Sequence, residues 1–142
     1  MFGEDGMNAE EYLVWASDTM DGALSNFIEG VEKDFGLELK RHVMGGKRMR
    51  SALTLLCCQA CGGDYKEALN IATSMECIHQ FSLVHDDVLD DDEKRRGTPS
   101  LPKLVGVGRS IMAGDAGLAA ALNLIAGHSN RVVSVGAQAL YS

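Results

Sequence analysis

The stretch ALNIATSMECIHQFSLVHDDVLD, residues 68–90, decides the fold. Wound as a helix, it is apolar on most sides, and a helix that is apolar nearly all round belongs in the middle of a bundle. Asp64 stands where an N-cap is needed, so the sequence predicts one long helix from about Tyr65 to Asp91. Acidic side chains are unfavourable near a helix C-terminus, and the aspartates that close this stretch therefore indicate a function.

The segments on either side also favour helices, and no strand alternation stands out. The glycine pairs at 45–46 and 62–63 separate neighbouring helices, and residues 97–102, which hold both prolines, predict a loop. The predicted helices run from Asn8 to about Glu29, from Val31 to His42 with an interruption at Gly36, from Lys47 to Ala60, from Gly108 to Ala126, and from Arg131 onward with Asn130 as cap. The predicted fold class is an all-α helical bundle, with residues 1–142 forming one domain.

Composition narrows the class of protein. The chain has 142 residues, enough for one sizeable core, and its net charge of −7 argues against nonspecific nucleic-acid binding. No apolar run is long enough for a transmembrane segment, and the acidic N-terminus lacks the core of a signal peptide. We therefore expect a cytoplasmic protein.

Four cysteines allow two interpretations. Cys58 and Cys61 have the spacing of metal or redox sites, whereas Cys57 and Cys77 have no such partner. The surrounding sequence is helical and apolar, and no second pair completes a zinc site. The sequence therefore favours packing of these thiols as small hydrophobic groups.

The acidic run begins where the long helix ends. Asp86 and Asp90 are four residues apart and share one helix face, where two carboxylates repel each other unless a cation lies between them. Mg²⁺ typically takes one or two carboxylates plus substrate phosphates. A solvated helix end is the alternative, but the unfavourable position of the acids favours a metal site.

Basic residues form a second cluster in the segment GGKRMR, residues 45–50. Backbone N–H groups at the start of a helix favour anions, and Lys47 and Arg50 share a face, although the spacing is not that of a Walker loop. His79 lies two helical turns before Asp86, about 10 Å along the same face. That separation suits a second anionic group beside a metal-bound one, although a lone histidine here is also typical of a core position.

Five segments together resemble the trans-isoprenyl diphosphate synthases, or polyprenyl synthases, in their N-terminal half. The segments span about Val43 to Leu124, and their order and spacing make the set more specific than any one of them. They are GGKRMR at 45–50, ECIH at 76–79, HDDVLD at 85–90, RRGTP at 95–99 and AGD at 113–115.

The resemblance implies a prenyltransferase that condenses isopentenyl diphosphate with an allylic diphosphate. It implies Mg²⁺ ions bound by Asp86 and Asp90, with Asp87 in support as the third catalytic residue, and an allylic diphosphate contact at Arg95. It also implies a homodimer and an isoprenoid-synthase type of helical bundle. The implied pocket for isopentenyl diphosphate consists of Gly46, Lys47, Arg50, His79 and Arg96.

Product length in this family depends partly on bulk just upstream of the aspartates. Phe81 and Ser82, five and four residues before Asp86, resemble the archaeal-type short-chain enzymes that make farnesyl or geranylgeranyl diphosphate. Phe81 as the floor of the product pocket and Phe81 as plain core packing both remain open here.

The sequence departs from the family in one respect. Family members are usually far longer and carry a second aspartate-rich motif downstream, which this sequence lacks. Three hypotheses follow: a truncated short-chain synthase, which we favour; a catalytically incomplete homologue that binds diphosphates or serves as a partner or regulatory subunit; and a helical scaffold with an incidental acidic helix end.

Overall fold

The computed structural model describes residues 6–35 and 37–138, without the side chains of residues 31–39. Within these residues the chain is an all-α bundle with one short hairpin, which confirms the predicted fold class. The elements are α1 Ala9–Phe35, α2 Leu37–Val43, α3 Met49–Ala60, α4 Tyr65–Leu89, β1 Lys94–Arg95, β2 Thr98–Pro99, α5 Leu101–Val105, α6 Val107–Ile125 and α7 Asn130–Gln138. Gly36 and the end of the last predicted helix lie outside the described residues.

Helix α4 is the centre of the bundle. It packs against α1, α2, α3, α5 and α6, as expected for a helix that is apolar nearly all round. Its predicted cap is confirmed, because the Asp64 side chain accepts a hydrogen bond of 2.9 Å from the backbone N–H of Lys66. The helix ends at Leu89, so the acidic run emerges from the core of the molecule.

Helix α1 begins where the sequence predicts and continues further than predicted. The Asn8 carboxamide accepts from the N–H of Glu10 and Glu11, and Glu11 accepts from the N–H of Asn8 in return, which is a capping box. The predicted end near Glu29 is wrong, because the helix runs through Gly30. A single glycine costs only about 1 kcal/mol in a helix, which is too little to break one this long.

Small residues of α6 let it approach α4 closely. A Cβ added at Gly117 would collide with the ring of Phe81, and one added at Gly114 would collide with the His85 imidazole. The Ser74 hydroxyl on α4 donates to the backbone carbonyl of Ala121 at 2.8 Å. The small residues of α6 thus bring it close to the half of α4 that ends in the acidic run.

A two-residue turn replaces part of the predicted loop. Strand β1 pairs with β2 antiparallel, and Arg96 and Gly97 between them have φ of 51° and 81°. Positive φ at both central residues defines a type I′ turn, which matches the twist of the strands it joins. Such turns usually carry Asn-Gly or Asp-Gly, and the absence of that signal explains why the sequence predicted no strand here.

Helix α3 also starts later than predicted. Lys47 lies in the loop before it, and Arg48, the residue just before the helix, has a left-handed backbone with φ of 50°. Gly45 and Gly46 have positive φ as well, so the chain turns sharply before the first helical residue, Met49.

The cysteine prediction is correct in part. Cys77 is buried, and Cys58 packs against the core with its thiol donating to the Asp64 carbonyl. Cys57 of α3 and Cys61, the residue just after that helix, are exposed. No group of three or more candidate metal ligands occurs among the described residues. None of the helices described is long and apolar enough to cross a membrane.

Candidate functional site

A basic cleft of about 110 Å³ lies where the loop before α3, helix α4 and the hairpin meet. All five residues that the resemblance assigned to one diphosphate pocket line this cleft. The lining residues are Gly46, Lys47, Arg48, Met49, Arg50, Glu76, His79, Gln80 and Arg96. The fold therefore brings together positions that lie up to 50 residues apart in the sequence.

Arg96 reaches the cleft from the tip of the hairpin. Its Nη1 donates to the carbonyls of Met44 and Gly45 at 3.2 and 2.9 Å, and its Nη2 donates to the Gln80 side-chain oxygen at 3.1 Å. The left-handed backbone of Arg96 is uncommon for a residue with a side chain and is part of the type I′ turn. The guanidinium is thus fixed against the glycine turn before α3.

Gly46 has to be glycine for two reasons. Its φ of 110° is one that residues with a Cβ rarely adopt, and an added Cβ would lie 3.2 Å from Nη2 of Arg96. A side chain at this position would therefore strain the backbone and displace the Arg96 guanidinium by a few tenths of an ångström.

A buried ion pair supports the cleft from below. The Arg48 side chain is fully buried, donates from Nε to Asp21 at 2.9 Å, and donates from Nη1 to Glu76 at 3.1 Å. Ser51 and Gln80 each donate to the same Glu76 carboxylate at 2.8 Å. Burial alone would raise the pKa of Glu76, but the hydrogen bonds from Gln80, Ser51 and Arg48 and the charge of Arg48 outweigh it and leave the pKa lowered.

The cleft concentrates positive charge. Burial, followed by the charge of Arg50, lowers the pKa of His79, and Arg96 adds to the effect while Glu76 opposes it. Burial and the neighbouring Arg48 and Arg95 likewise lower the pKa of Arg96, although a guanidinium stays charged in proteins. The crowding of cations makes this a site that an anion would stabilise.

The three predicted catalytic aspartates occupy different environments. Asp86 and Asp90 are exposed at the end of α4, whereas the Asp87 carboxylate is fully buried. Asp86 and Asp90 can therefore offer two oxygen donors to a cation, in a number that suits Mg²⁺ held jointly by carboxylates and substrate phosphates. Asp87 faces the protein interior.

Arg95 is the partner of Asp87. Its Nε and Nη2 both contact Oδ1 of Asp87, and its Nη2 lies 3.7 Å from Asp92. The hydrogen bond to Asp87 is the main cause that raises the pKa of Arg95. The residue predicted to contact an allylic diphosphate is thus anchored by the second aspartate of the acidic run.

His42 also faces this ion pair, and no motif in the sequence pointed to it. Its Nε2 lies 3.8 Å from Oδ2 of Asp87, both groups are buried, and neither atom has a hydrogen-bond partner among the described residues. Burial lowers the pKa of His42, Arg95 and Arg96 lower it further, and Asp87 opposes them.

Arg48, Glu76 and Gln80 were also absent from the predicted set of site residues, although the first two lie inside the quoted segments.

Phe81 and Asp115, which the sequence analysis also singled out, both lie at the contact between α4 and α6. Phe81 is fully buried against Gly117 of α6, which supports the core-packing interpretation of this side chain. Asp115, in the AGD segment, lies with its Oδ1 3.3 Å from Nε2 of His85. That contact links α6 to the residue just before the acidic run.

Comparison with known sequences identifies relatives of the same kind. The polyprenyl synthetase family profile matches residues 37–142. A geranylgeranyl pyrophosphate synthase of Geoglobus acetivorans is 44% identical over 87 residues, which are 60% of this chain and 27% of that protein. A short chain isoprenyl diphosphate synthase of Methanothermobacter thermautotrophicus is 39% identical over 111 residues, 77% of this chain and 34% of that protein. The chain spans between about a quarter and a third of the length of these relatives.

Solved structures agree with the sequence comparison. Geranylgeranyl pyrophosphate synthetase from Pyrococcus horikoshii matches with a TM-score of 0.82 and 32% identity, over 92% of this chain and 43% of that one. The enzyme from Geoglobus acetivorans matches with a TM-score of 0.74 and 31% identity, over 91% of this chain and 44% of that one. With a family match over most of its length and the same arrangement of helices, this chain belongs to the polyprenyl synthetase family.

Proposed function

We propose that this chain carries one half of the active site of a prenyltransferase that condenses isopentenyl diphosphate with an allylic diphosphate. The product is a short-chain prenyl diphosphate of the farnesyl or geranylgeranyl class. The observation that carries the proposal is that one helix presents both a basic cleft at His79, which suits a diphosphate, and the exposed carboxylates of Asp86 and Asp90, which suit Mg²⁺. Two helical turns, about 10 Å, separate them, which leaves room for two diphosphates side by side.

The basic cleft is the proposed site for isopentenyl diphosphate. Arg96 and Arg50 offer forked N–H donors that match phosphate oxygens, and Lys47 offers a flexible point charge. Burial and the neighbouring cations, Arg50 first, lower the pKa of His79 and so favour its neutral form when the cleft is empty. A bound diphosphate would reverse that balance, and His79 would then be able to donate from both ring nitrogens.

The acidic end of α4 is the proposed site for the allylic diphosphate. Asp86 and Asp90 would hold Mg²⁺ ions, which neutralise charge on the departing diphosphate. Asp87 supports this end by orienting Arg95, whose remaining donors are then available to the same diphosphate.

The chemistry divides into three bond changes. The allylic C–O bond breaks, and its electron pair leaves with the diphosphate, whose developing charge Arg95 stabilises from a fixed position. The isopentenyl double bond then forms the new C–C bond with the allylic cation. A proton of the adjacent carbon passes to an oxygen of the departed diphosphate, and the electrons of that C–H bond form the new double bond. Apolar walls of the helical bundle would keep water from the cation.

The proposed assembly is one all-helical domain over residues 1–142 that pairs with a second copy. Apolar side chains remain exposed on α6, including Val107, Ile111 and Met112. Exposed apolar patches of this kind mark interaction sites, and they are compatible with a homodimer.

The test is Mg²⁺-dependent condensation of labelled isopentenyl diphosphate with an allylic diphosphate by this chain. Asp86→Ala removes one proposed metal ligand, and Asp18→Ala removes an exposed aspartate of α1 far along the chain from the acidic run. Product formation that is lost in Asp86→Ala and kept in Asp18→Ala would support the proposal, and product length would give its class.

The alternative function is a catalytically incomplete homologue that binds diphosphates as a partner or regulatory subunit. Binding alone needs only the basic cleft and the exposed carboxylates of Asp86 and Asp90, which all lie within the described residues. Diphosphate binding that depends on Mg²⁺ and Asp86, without condensation, would support this alternative. A chain that shows neither condensation nor diphosphate binding would contradict both functions.

A further inference from the structure

We propose that Gln80 is a positioning residue for diphosphate binding and acts through Arg96. The inference deepens the proposed function and rests on the assignment of the basic cleft to a diphosphate. Gln80 lies on α4 one residue after His79, and its side chain is buried to 2% exposure. It is the only side chain in the cleft, among those described, that hydrogen bonds both to Arg96 and to the buried ion pair beneath it.

The chemistry of its two partners fixes the orientation of the Gln80 carboxamide. Its Nε2 faces a carboxylate oxygen of Glu76 at 2.8 Å, and an ionised carboxylate can only accept. Its Oε1 faces Nη2 of Arg96 at 3.1 Å, and a guanidinium can only donate. The amide therefore cannot rotate by 180° without facing two like groups, so it holds Arg96 in one position.

The anchor behind Gln80 is rigid. Glu76 is buried and receives three hydrogen bonds, from Arg48, Ser51 and Gln80. Arg48 is fully buried and is tied to α1 through Asp21. The Gln80 carboxamide thus links Arg96 to the buried Arg48–Glu76 ion pair, whose contacts reach α1, α3 and α4.

The arrangement leaves donors of Arg96 available for a ligand. A guanidinium has five N–H donors, and the contacts to Met44, Gly45 and Gln80 use three of them. The two that remain are the Nε–H and one Nη2–H. A pair of adjacent donors can bind two oxygens of one phosphate at once, and such pairs depend strongly on orientation.

Gln80→Met tests the role with little risk to the fold. Methionine fills a similar volume, and Glu76 keeps its hydrogen bonds from Arg48 and Ser51, so no buried charge loses all of its partners. Arg96 keeps the two backbone carbonyls but loses the acceptor that sets the plane of its guanidinium. Gln80→Asn is a second variant, since it keeps the amide and is too short to bridge both partners.

The experiment is calorimetric titration of inorganic diphosphate into the chain without metal, so that the acidic end of α4 does not contribute. We expect Gln80→Met and Gln80→Asn to weaken binding about tenfold, or about 1.4 kcal/mol. The matched control is Gln59→Met, which removes a glutamine of α3 that hydrogen bonds to Tyr12. This control should bind diphosphate as the unaltered chain does.

A double-mutant cycle with Arg96→Met separates positioning from a general structural effect. If Gln80 acts through Arg96, Gln80→Met should change affinity less than about twofold once Arg96 is absent. A tenfold loss that persists in the Arg96→Met background would overturn the inference. A second result would also overturn it: the unaltered chain binds diphosphate, Arg96→Met weakens that binding, and Gln80→Met leaves it unchanged. No binding by the unaltered chain would overturn the proposed function of the cleft together with the inference.

Discussion

Adjacent aspartates at the end of α4 have opposite surroundings. The Asp86 carboxylate is exposed to solvent, where a cation can reach it. The Asp87 carboxylate is fully buried and is contacted by two nitrogens of Arg95. Removal of Asp86 would leave the packing unchanged, and removal of Asp87 would leave a guanidinium without its main partner. The two residues should therefore differ in what their loss affects.

We expect Asp87→Ala to lower the free energy of unfolding by about 3 kcal/mol, the lower end for a broken buried ion pair, because Arg95 keeps partial access to water. Asp86→Ala should change it by less than about 0.5 kcal/mol, as for other exposed substitutions. Urea unfolding followed by circular dichroism measures both. Equal effects of the two substitutions would contradict the division of roles.

His42 should make stability depend on pH in the neutral range. Its pKa lies below the ordinary 6.5 mainly because of burial, so the unfolded chain takes up a proton near pH 6.5 while the folded chain does not. The unfolded state then binds more protons, and the free energy of unfolding falls as pH drops below about 6.5. His79 shifts in the same direction and adds to the slope.

The measurement is urea unfolding at a series of pH values between about 7.5 and 5.5. His42→Gln, which keeps a donor beside Asp87, should flatten the slope by up to about 1.4 kcal/mol per pH unit. Glu76 does not interfere, because its lowered pKa affects stability only below its ordinary 4.5. An unchanged slope in His42→Gln would show that this imidazole is not the titrating group.

At the level of single residues, the sequence predicted the groups that carry charge into the cleft but not the groups that hold them. Lys47, Arg50 and Arg96 belong to short segments that can be recognised along the chain. Gln80 contacts Arg96, 16 residues away, and His42 contacts Asp87, 45 residues away. No local sequence pattern predicts such pairs.

At the level of elements, most helices could be predicted and the hairpin could not. Apolar periodicity and caps such as Asp64 act locally, so they identify α4 within two residues of its ends. The turn at Arg96 and Gly97 adopts positive φ at an arginine, which local preference disfavours. Three hydrogen bonds from the Arg96 guanidinium to acceptors distant in sequence offset that preference.

The contact between α4 and α6 gives a prediction at the same scale. Gly117→Ala should destabilise the chain by about 1–3 kcal/mol, because the new methyl group has no space beside Phe81. Gly22→Ala, in open space on α1, should stabilise it by about 0.5–1 kcal/mol through helix propensity. Thermal unfolding of the two variants compares them directly, and a stabilising Gly117→Ala would mean that the helices are further apart.

For the whole molecule, the exposed apolar surface predicts self-association. Val107 and Ile111 are four residues apart on α6 and both are exposed. We expect the apparent mass in size-exclusion chromatography with light scattering to rise with concentration, and Ile111→Asp to reduce the rise. Asn123→Asp, at an exposed position of the same helix, is the control. Identical behaviour of the two variants would place the association elsewhere.

The global arrangement was predictable as a class because α4 is apolar nearly all round, which requires neighbours on every side. The identity of the neighbouring helices depends on details such as the small residues of α6. The role of those small residues becomes clear only when α6 is seen to pack against α4.

The hydrogen bond from Arg96 to Met44 spans 52 residues of chain, and it has a consequence for folding. Closing a loop of this length costs conformational entropy, which the rest of the native fold has to offset. The cleft therefore exists only in chains that have finished folding, and a ligand seated there binds the native state alone. By mass action, a diphosphate at a hundred times its Kd would add about 2.7 kcal/mol to the stability of the entire fold. A diphosphate that fills the cleft would thus stabilise helices that it does not touch.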